Sequence, residues 1–214
     1  MRKLDKLVIG VISCGLVVYL IRGPCATFLA NQNARIDQKE IKEANRSLPA
    51  YDHGSETLAW TELPEYVSEK HGFAVRFPEK PKVTDYGGTV HYEFGAETEQ
   101  EATYTIFVTT YEKPRLTNEA IVADLNGYLQ GRIKTFGATG KLVNSQEVLF
   151  LDHRALDYEY TKEVQGLKSY FKGVHFVVGK MSYTISMACT EGTKPSAYQR
   201  YQGFVRSFRL IKDY

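Results

Sequence analysis

Leu167 to Cys189 reads LKSYFKGVHFVVGKMSYTISMAC, and this stretch decides the fold. Its first half, Tyr170 to Val178, is apolar on both faces, as a central strand must be when its sheet is covered on both sides. In the second half Tyr183, Ile185, Met187 and Cys189 alternate with Ser182, Thr184, Ser186 and Ala188. That period of two predicts a strand with one large apolar face and one small face, against which a helix can pack closely. Gly179-Lys180 between the halves suits a two-residue hairpin turn. The reading is therefore an antiparallel pair inside a sheet that carries helices.

Upstream of the pair, Lys141 to Phe150 and Ala155 to Lys162 are also strand-like. Before them the period changes. Thr117 is a plausible N-cap, and Ile121, Leu125, Tyr128, Leu129, Ile133 and Phe136 recur at helical spacing until Gly137 stops the run. Further back, Gly72 to Pro78 (GFAVRFP) alternates like a strand and ends on proline. Val90 to Phe94 follows an Asp85-Tyr86-Gly87-Gly88 turn signal, and Thr103 to Tyr111 is nine residues of strand formers. The connections are too short for crossovers, which makes these three antiparallel. Downstream, Pro195 opens a last helix with Tyr198, Tyr201, Val205 and Phe208 on one side. The order β-β-β-α-β-β-β-β-α predicts an α+β domain, an antiparallel β-sheet flanked by helices.

Four stretches in that order resemble the family of PsbP-like and DcrB-like α/β/α sandwich proteins. Gly72-Phe73-Ala74-Val75-Arg76-Phe77-Pro78 with Pro81 is similar to its opening strand, and Leu156-Asp157-Tyr158 to a middle strand. Tyr183-Thr184-Ile185 stands where a strand follows the hairpin, and Phe204 to Leu210 (FVRSFRL) resembles the closing element. The resemblance spans roughly residues 60 to 211. It implies a sandwich fold and a non-enzymatic habit, binding or assembly often tethered at membranes, with the bacterial envelope branch the best fit. It transfers no site residue, because the matching positions are packing positions.

Leu7 to Ile21 (LVIGVISCGLVVYLI) holds ten Leu, Ile or Val residues and no charge, after Arg2, Lys3 and Lys6. About 20 apolar residues span a bilayer, so the expected N-terminal transmembrane helix covers roughly residues 5 to 24, ended by Gly23-Pro24. The denser basic flank precedes the run, which favours a cytoplasmic N-terminus and an extracytoplasmic domain. A cleaved signal, a lipoprotein attached at Cys14 and a buried helix are the competing readings. The expected organisation is a membrane anchor and interface over 1–30, a polar stalk and linker over 31–57, and a globular domain over 58–214.

The formal net charge of +2, without a dense basic run beyond the flank, excludes nucleic acid as a partner on charge grounds. Three cysteines without a CxxC make neither a disulfide framework nor a zinc site, and Cys189 reads as a small core residue. The 15 Tyr and 11 Phe fit half-exposed strands without any ligand. The five histidines, His53, His71, His91, His153 and His175, are scattered; His91 and His175 lie in strands and could meet across a sheet, but they read first as core or surface histidines. Asp152-His153 is a turn pair with no serine oriented beside it. Glu97, Glu99 and Glu101 read as a solvated loop lacking calcium-ligand spacing, and Asp157 and Glu159 as the wetter face of a strand. Gly137-Ala138-Thr139-Gly140 is a helix stop and strand entry, without the lysine and serine of a P-loop after it. No catalytic, cofactor-binding or metal-binding residue is singled out. The expectation is a membrane-tethered extracytoplasmic binding or assembly module for an envelope protein complex. The alternative is a carrier of a small apolar ligand held between sheet and helix. An enclosed apolar pocket favours the carrier, and an exposed aromatic patch favours the module.

Overall fold

In a computed structural model, residues 40–52, 60–95, 102–136, 140–164 and 167–211 are described. The run Leu7–Ile21 lies outside them, as do His53 and the Glu97–Glu101 loop; no helix of the described residues is long and apolar enough to cross a membrane. The order is β1 (Glu65–Ser68), β2 (Phe73–Arg76), β3 (Lys82–Asp85), β4 (Thr89–Phe94), β5 (Ala102–Thr110) and α1 (Asn118–Phe136). It continues with β6 (Gly140–Phe150), β7 (His153–Val164), β8 (Leu167–Val178), β9 (Met181–Thr190), α2 (Lys194–Ser207) and β10 (Arg209–Leu210). A seven-stranded antiparallel sheet runs β3-β4-β5-β9-β8-β7-β6, and a small one runs β1-β2-β10. The domain is α+β, with antiparallel sheets flanked by helices.

The β8–β9 hairpin forms as its sequence dictates. Val178 pairs with Met181 across Gly179, whose φ of 58° suits glycine. The large face of β9 (Tyr183, Ile185, Met187, Cys189) is buried with Phe73, Phe77, Tyr104, Tyr201, Phe204 and Phe208 in the main core, between the large sheet and α2 with the small sheet. Cys189 is a core residue. On the opposite face α1 buries Ile121 and Leu125 against Leu156, Tyr158 and Tyr160 of β7. The Thr117 hydroxyl accepts from the Ala120 amide, so the expected cap is in place. Four strand residues of the family resemblance, Phe73, Val75, Tyr183 and Ile185, are fully buried, as is Phe204.

Four expectations are corrected. β2 does not join β4 and β5; it pairs with β1 and, across the whole domain, with β10. Asp157 is not on a wet face: it is 8 % exposed, on the core side of β7, and Lys172 Nζ lies 3.4 Å from its Oδ1. Burial raises its carboxyl pKa despite that lysine. The small face of β9 takes no close helix, because α1 packs over β6, β7 and β8 instead. Finally, residues 47–52, where linker was expected, lie against the edge of β6. The Tyr51 amide donates to the Leu149 carbonyl (2.9 Å) and the Leu149 amide to the Pro49 carbonyl (2.8 Å), and Tyr51 is buried. A strap of this kind covers a sheet edge that would otherwise offer unpaired groups to another chain.

Candidate functional site: a cleft beside the helix

Because α1 covers only the β6–β8 half of its face of the sheet, the other half stays open, and a cleft of about 540 Å³ runs between the helix and β5 and β9. Its floor is built by strand register. His91, Phe107, Thr184 and His175 pair in one row across β4, β5, β9 and β8. The expected meeting of His91 and His175 therefore reduces to a shared face, with two strands between them, about 14 Å at the usual strand spacing.

The helix supplies the wall. Asp124, Tyr128 and Arg132 follow one another at i, i+4 and i+8, so they form one stripe beside the apolar stripe of Ile121 and Leu125. Tyr128 stacks on His175, with ring centroids 4.0 Å apart and planes 7° apart. The Tyr128 and Tyr158 hydroxyls lie 2.8 Å apart, and Arg132 Nε donates to Tyr128 Oη at 2.8 Å. The Arg132 guanidinium lies over both the Tyr128 ring (5.1 Å) and the Phe107 ring (5.6 Å), and Phe107 stacks on His91 at 4.3 Å. Gly173 makes the arrangement possible: a Cβ there would stand 2.3 Å from the Tyr158 hydroxyl.

His175 is buried between two partners. Its Nε2 lies 3.2 Å from Asp124 Oδ1 and its Nδ1 2.8 Å from Thr184 Oγ1. Burial lowers its pKa below the usual imidazole value, outweighing the hydrogen bond and charge of Asp124. A neutral ring facing a carboxylate carries its proton on Nε2, which leaves Nδ1 to accept from the Thr184 hydroxyl. Burial alone would raise the Asp124 pKa; the hydrogen bonds of His175 and Tyr111, with the charges of His175 and Arg115, carry it below the usual carboxylate value. Arg115 Nε stands 3.7 Å from Asp124 Oδ2, and its guanidinium lies over the Tyr111 ring.

The chain Thr184–His175–Asp124 has the connectivity of a hydroxyl, a base and an orienting acid. Thr184 and His175 are each 3 % exposed, however, and the Tyr128 ring covers the imidazole. The hydroxyl thus has no approach to a carbonyl carbon. The cleft does offer a binding surface. Arg132 always carries its charge, and among the described residues no carboxylate pairs with it. Among the described residues no group of three or more His, Cys, Asp or Glu is placed to hold a metal.

The sequence placed His91 and His175 in strands but gave no sign of the helix partners of His175, because the helix was read through its apolar positions alone. Asp152 sits in the turn after β6 with φ 63°, and His153 stacks near Phe176 at 6.3 Å; the two do not join the cleft. Asp157 and Glu159 lie on the other face of the sheet, Glu159 with Lys194 Nζ at 3.2 Å.

No protein-family model matches the sequence, and no curated protein matches it. Among solved structures, cyanobacterial PsbP from Synechocystis sp. matches with a TM-score of 0.54 at 13 % identity, over 73 % of this chain and 96 % of that one. A crystal structure from Bacteroides thetaiotaomicron matches with a TM-score of 0.43 at 10 % identity, over 71 % of this chain and 50 % of that one. The fold is PsbP-like, and at such identity the likeness speaks to the fold alone.

Proposed function

We propose that this chain is a membrane-tethered, extracytoplasmic binding module without enzymatic activity, and that the cleft between α1 and the open half of the sheet receives its partner. The observation that carries this reading is the Arg132 guanidinium, held between two aromatic rings in an open cleft with no carboxylate partner among the described residues. A cation so placed is a recognition element, because guanidinium bonds anions bidentately and stacks on rings at once. The tether is the run Leu7–Ile21, whose basic flank and uncharged aliphatic character, extended to roughly residues 5–24, support a membrane span. Confinement at a membrane raises the effective concentration of a domain for other membrane-bound proteins, so a modest cleft is enough for assembly. The carrier of an apolar ligand is less well supported: such a ligand would desolvate Asp124 and Arg132, which line the cleft, without bonding either.

Complementation of a deletion strain tests the reading, with export and abundance of each variant checked. An untethered form, lacking residues 1–39 and exported by a cleavable signal, should stay folded and fail to complement. Gly127→Leu, which puts a bulky side chain into the cleft, should fail too, while Asp152→Ala with His153→Ala should complement. Full complementation by the untethered form would sink the tethered module.

A further inference from the structure

Gly127 has no structural reason to be glycine. It sits inside α1, where glycine is less favourable than alanine, and a Cβ built on it, as on Gly131 of the same helix, meets nothing within 4 Å. It lines the cleft, one residue before Tyr128. Here the helix gives up stability to keep volume open in the cleft that Arg132 also lines, and among the described residues no carboxylate pairs with that guanidinium.

The chemistry around that volume is specific. Arg132 Nε is committed to Tyr128, which leaves the terminal N–H groups to face a ligand. That end presents a two-pronged donor matched to a carboxylate. Arg115, the other cation of the cleft, faces Asp124 at 3.7 Å, so among the described residues Arg132 is the cleft cation without a carboxylate partner, and one such cation suits a single negative charge. Thr89 and Thr109, whose hydroxyls lie 2.9 Å apart, line the opposite side and offer hydrogen bonds to amide groups. The cleft is open along the uncovered half of the sheet, so a ligand body can continue outward past Phe107 and His91.

Resting on the reading of this cleft as the partner site, we propose that it captures the C-terminal carboxylate of a partner polypeptide, held end-on by Arg132 with the last residues lying over Gly127. The charge is met by Arg132, the space by Gly127 and the main-chain amides by the threonine hydroxyls.

The test uses the full chain in detergent micelles and calorimetric titration with N-acetylated pentapeptides ending in Ala, Leu or Phe, each as free acid and as C-terminal amide. The companion pair is 3-phenylpropionate and 3-phenylpropionamide. At least one free-acid peptide should bind, and its amide should bind at least about tenfold more weakly, since a hydrogen bond to a charged group is at stake. Arg132→Gln should give the same loss with the melting temperature checked alongside, Arg132→Lys a smaller one, and Gly127→Leu no binding. Gly127→Ala should raise the melting temperature by about 2 to 4 °C and weaken binding, a pairing that a merely structural glycine would not give. Equal binding of acid and amide, or unchanged binding by Arg132→Gln, overturns the proposal. Binding of 3-phenylpropionate alone, with every peptide silent, overturns the assignment to a chain terminus. If no probe binds but Gly127→Leu still fails to complement, the carboxylate inference falls and the cleft stands. If Gly127→Leu complements, the cleft reading falls with it.

Discussion

His175 shows how a residue visible in the sequence acquires its meaning only from what surrounds it. Burial pushes its pKa below the ordinary 6.5, while Asp124 pulls the other way and Arg132 adds to the push. In the unfolded chain the imidazole gains its proton as pH falls through about 6.5; in the folded protein it does so only at lower pH. Stability from this group is therefore whole above that value and declines as pH falls from 6.5 toward the lower folded value. A histidine NMR titration should show the His175 ring still neutral at pH 6.5, and Asp124→Asn should lower its pKa further, because the opposing carboxylate is gone. A titration at or above 6.5 in the native protein would contradict the burial argument. The sequence placed His175 on a strand and stopped there. Asp124, Tyr128 and Arg132 were legible in principle as a second stripe at i, i+4 and i+8, but a stripe with one acid, one ring and one base has no hydrophobic signature to betray it. Asp157 was misread for the opposite reason: alternation assigned it correctly to the face away from Leu156 and Tyr158, and it was taken to be wet because it is charged.

Among the elements, the long ones were legible and the short ones were not. α1, α2 and the β6–β9 run carry enough periods to declare themselves. β1, β3 and β10 hold two to four residues each, too few for a period, and β10 finds its partner β2 more than 130 positions away. The β6 edge strap was read as linker because Pro49 and Asp52 are turn residues; its buried anchor, Tyr51, is one aromatic among many. Glycines separate the two helices physically. In α2 a Cβ on Gly203 would stand 1.8 Å from Trp60 Nε1, so the indole of the only tryptophan lies where the side chain would be. Gly203→Ala should therefore destabilise the domain by about 1 to 3 kcal/mol through overpacking, even though alanine is the better helix former. Gly127→Ala on α1 should stabilise by about 1 kcal/mol, since nothing stands in its way. Urea unfolding followed by Trp60 fluorescence measures both. Matching signs for the two substitutions would mean that one of these glycines has been misjudged.

At the scale of the molecule, the two faces of the large sheet differ. The core between the large sheet and α2 with the small sheet holds the fold; on the other face α1 leaves a cleft open. With residues 40–52 in the described part and Tyr51 docked, the segment between the apolar run and the first docked residues is 22–39, shorter than the stalk and linker of 31–57 expected from composition. On the tethering proposed above, a shorter tether would keep the cleft nearer the membrane and raise its effective concentration for membrane-bound partners. Which side of the membrane this happens on depends on the flanks of Leu7–Ile21. Arg2, Lys3 and Lys6 precede the run, while Arg22 and Arg35 follow it within the first fifteen or so residues. The excess is modest and lies on the N-terminal side, so that side should stay in the cytoplasm. An alkaline phosphatase fused after Tyr214 should accordingly be active, and a reporter that works only in the cytoplasm should be silent at the same place. Replacing Arg2, Lys3 and Lys6 with asparagine removes the bias and leaves Arg22 and Arg35 to set it, so phosphatase activity should drop as a fraction of the chains inverts. An active cytoplasmic reporter on the native sequence would reverse the orientation, and with it the extracytoplasmic setting proposed for the cleft.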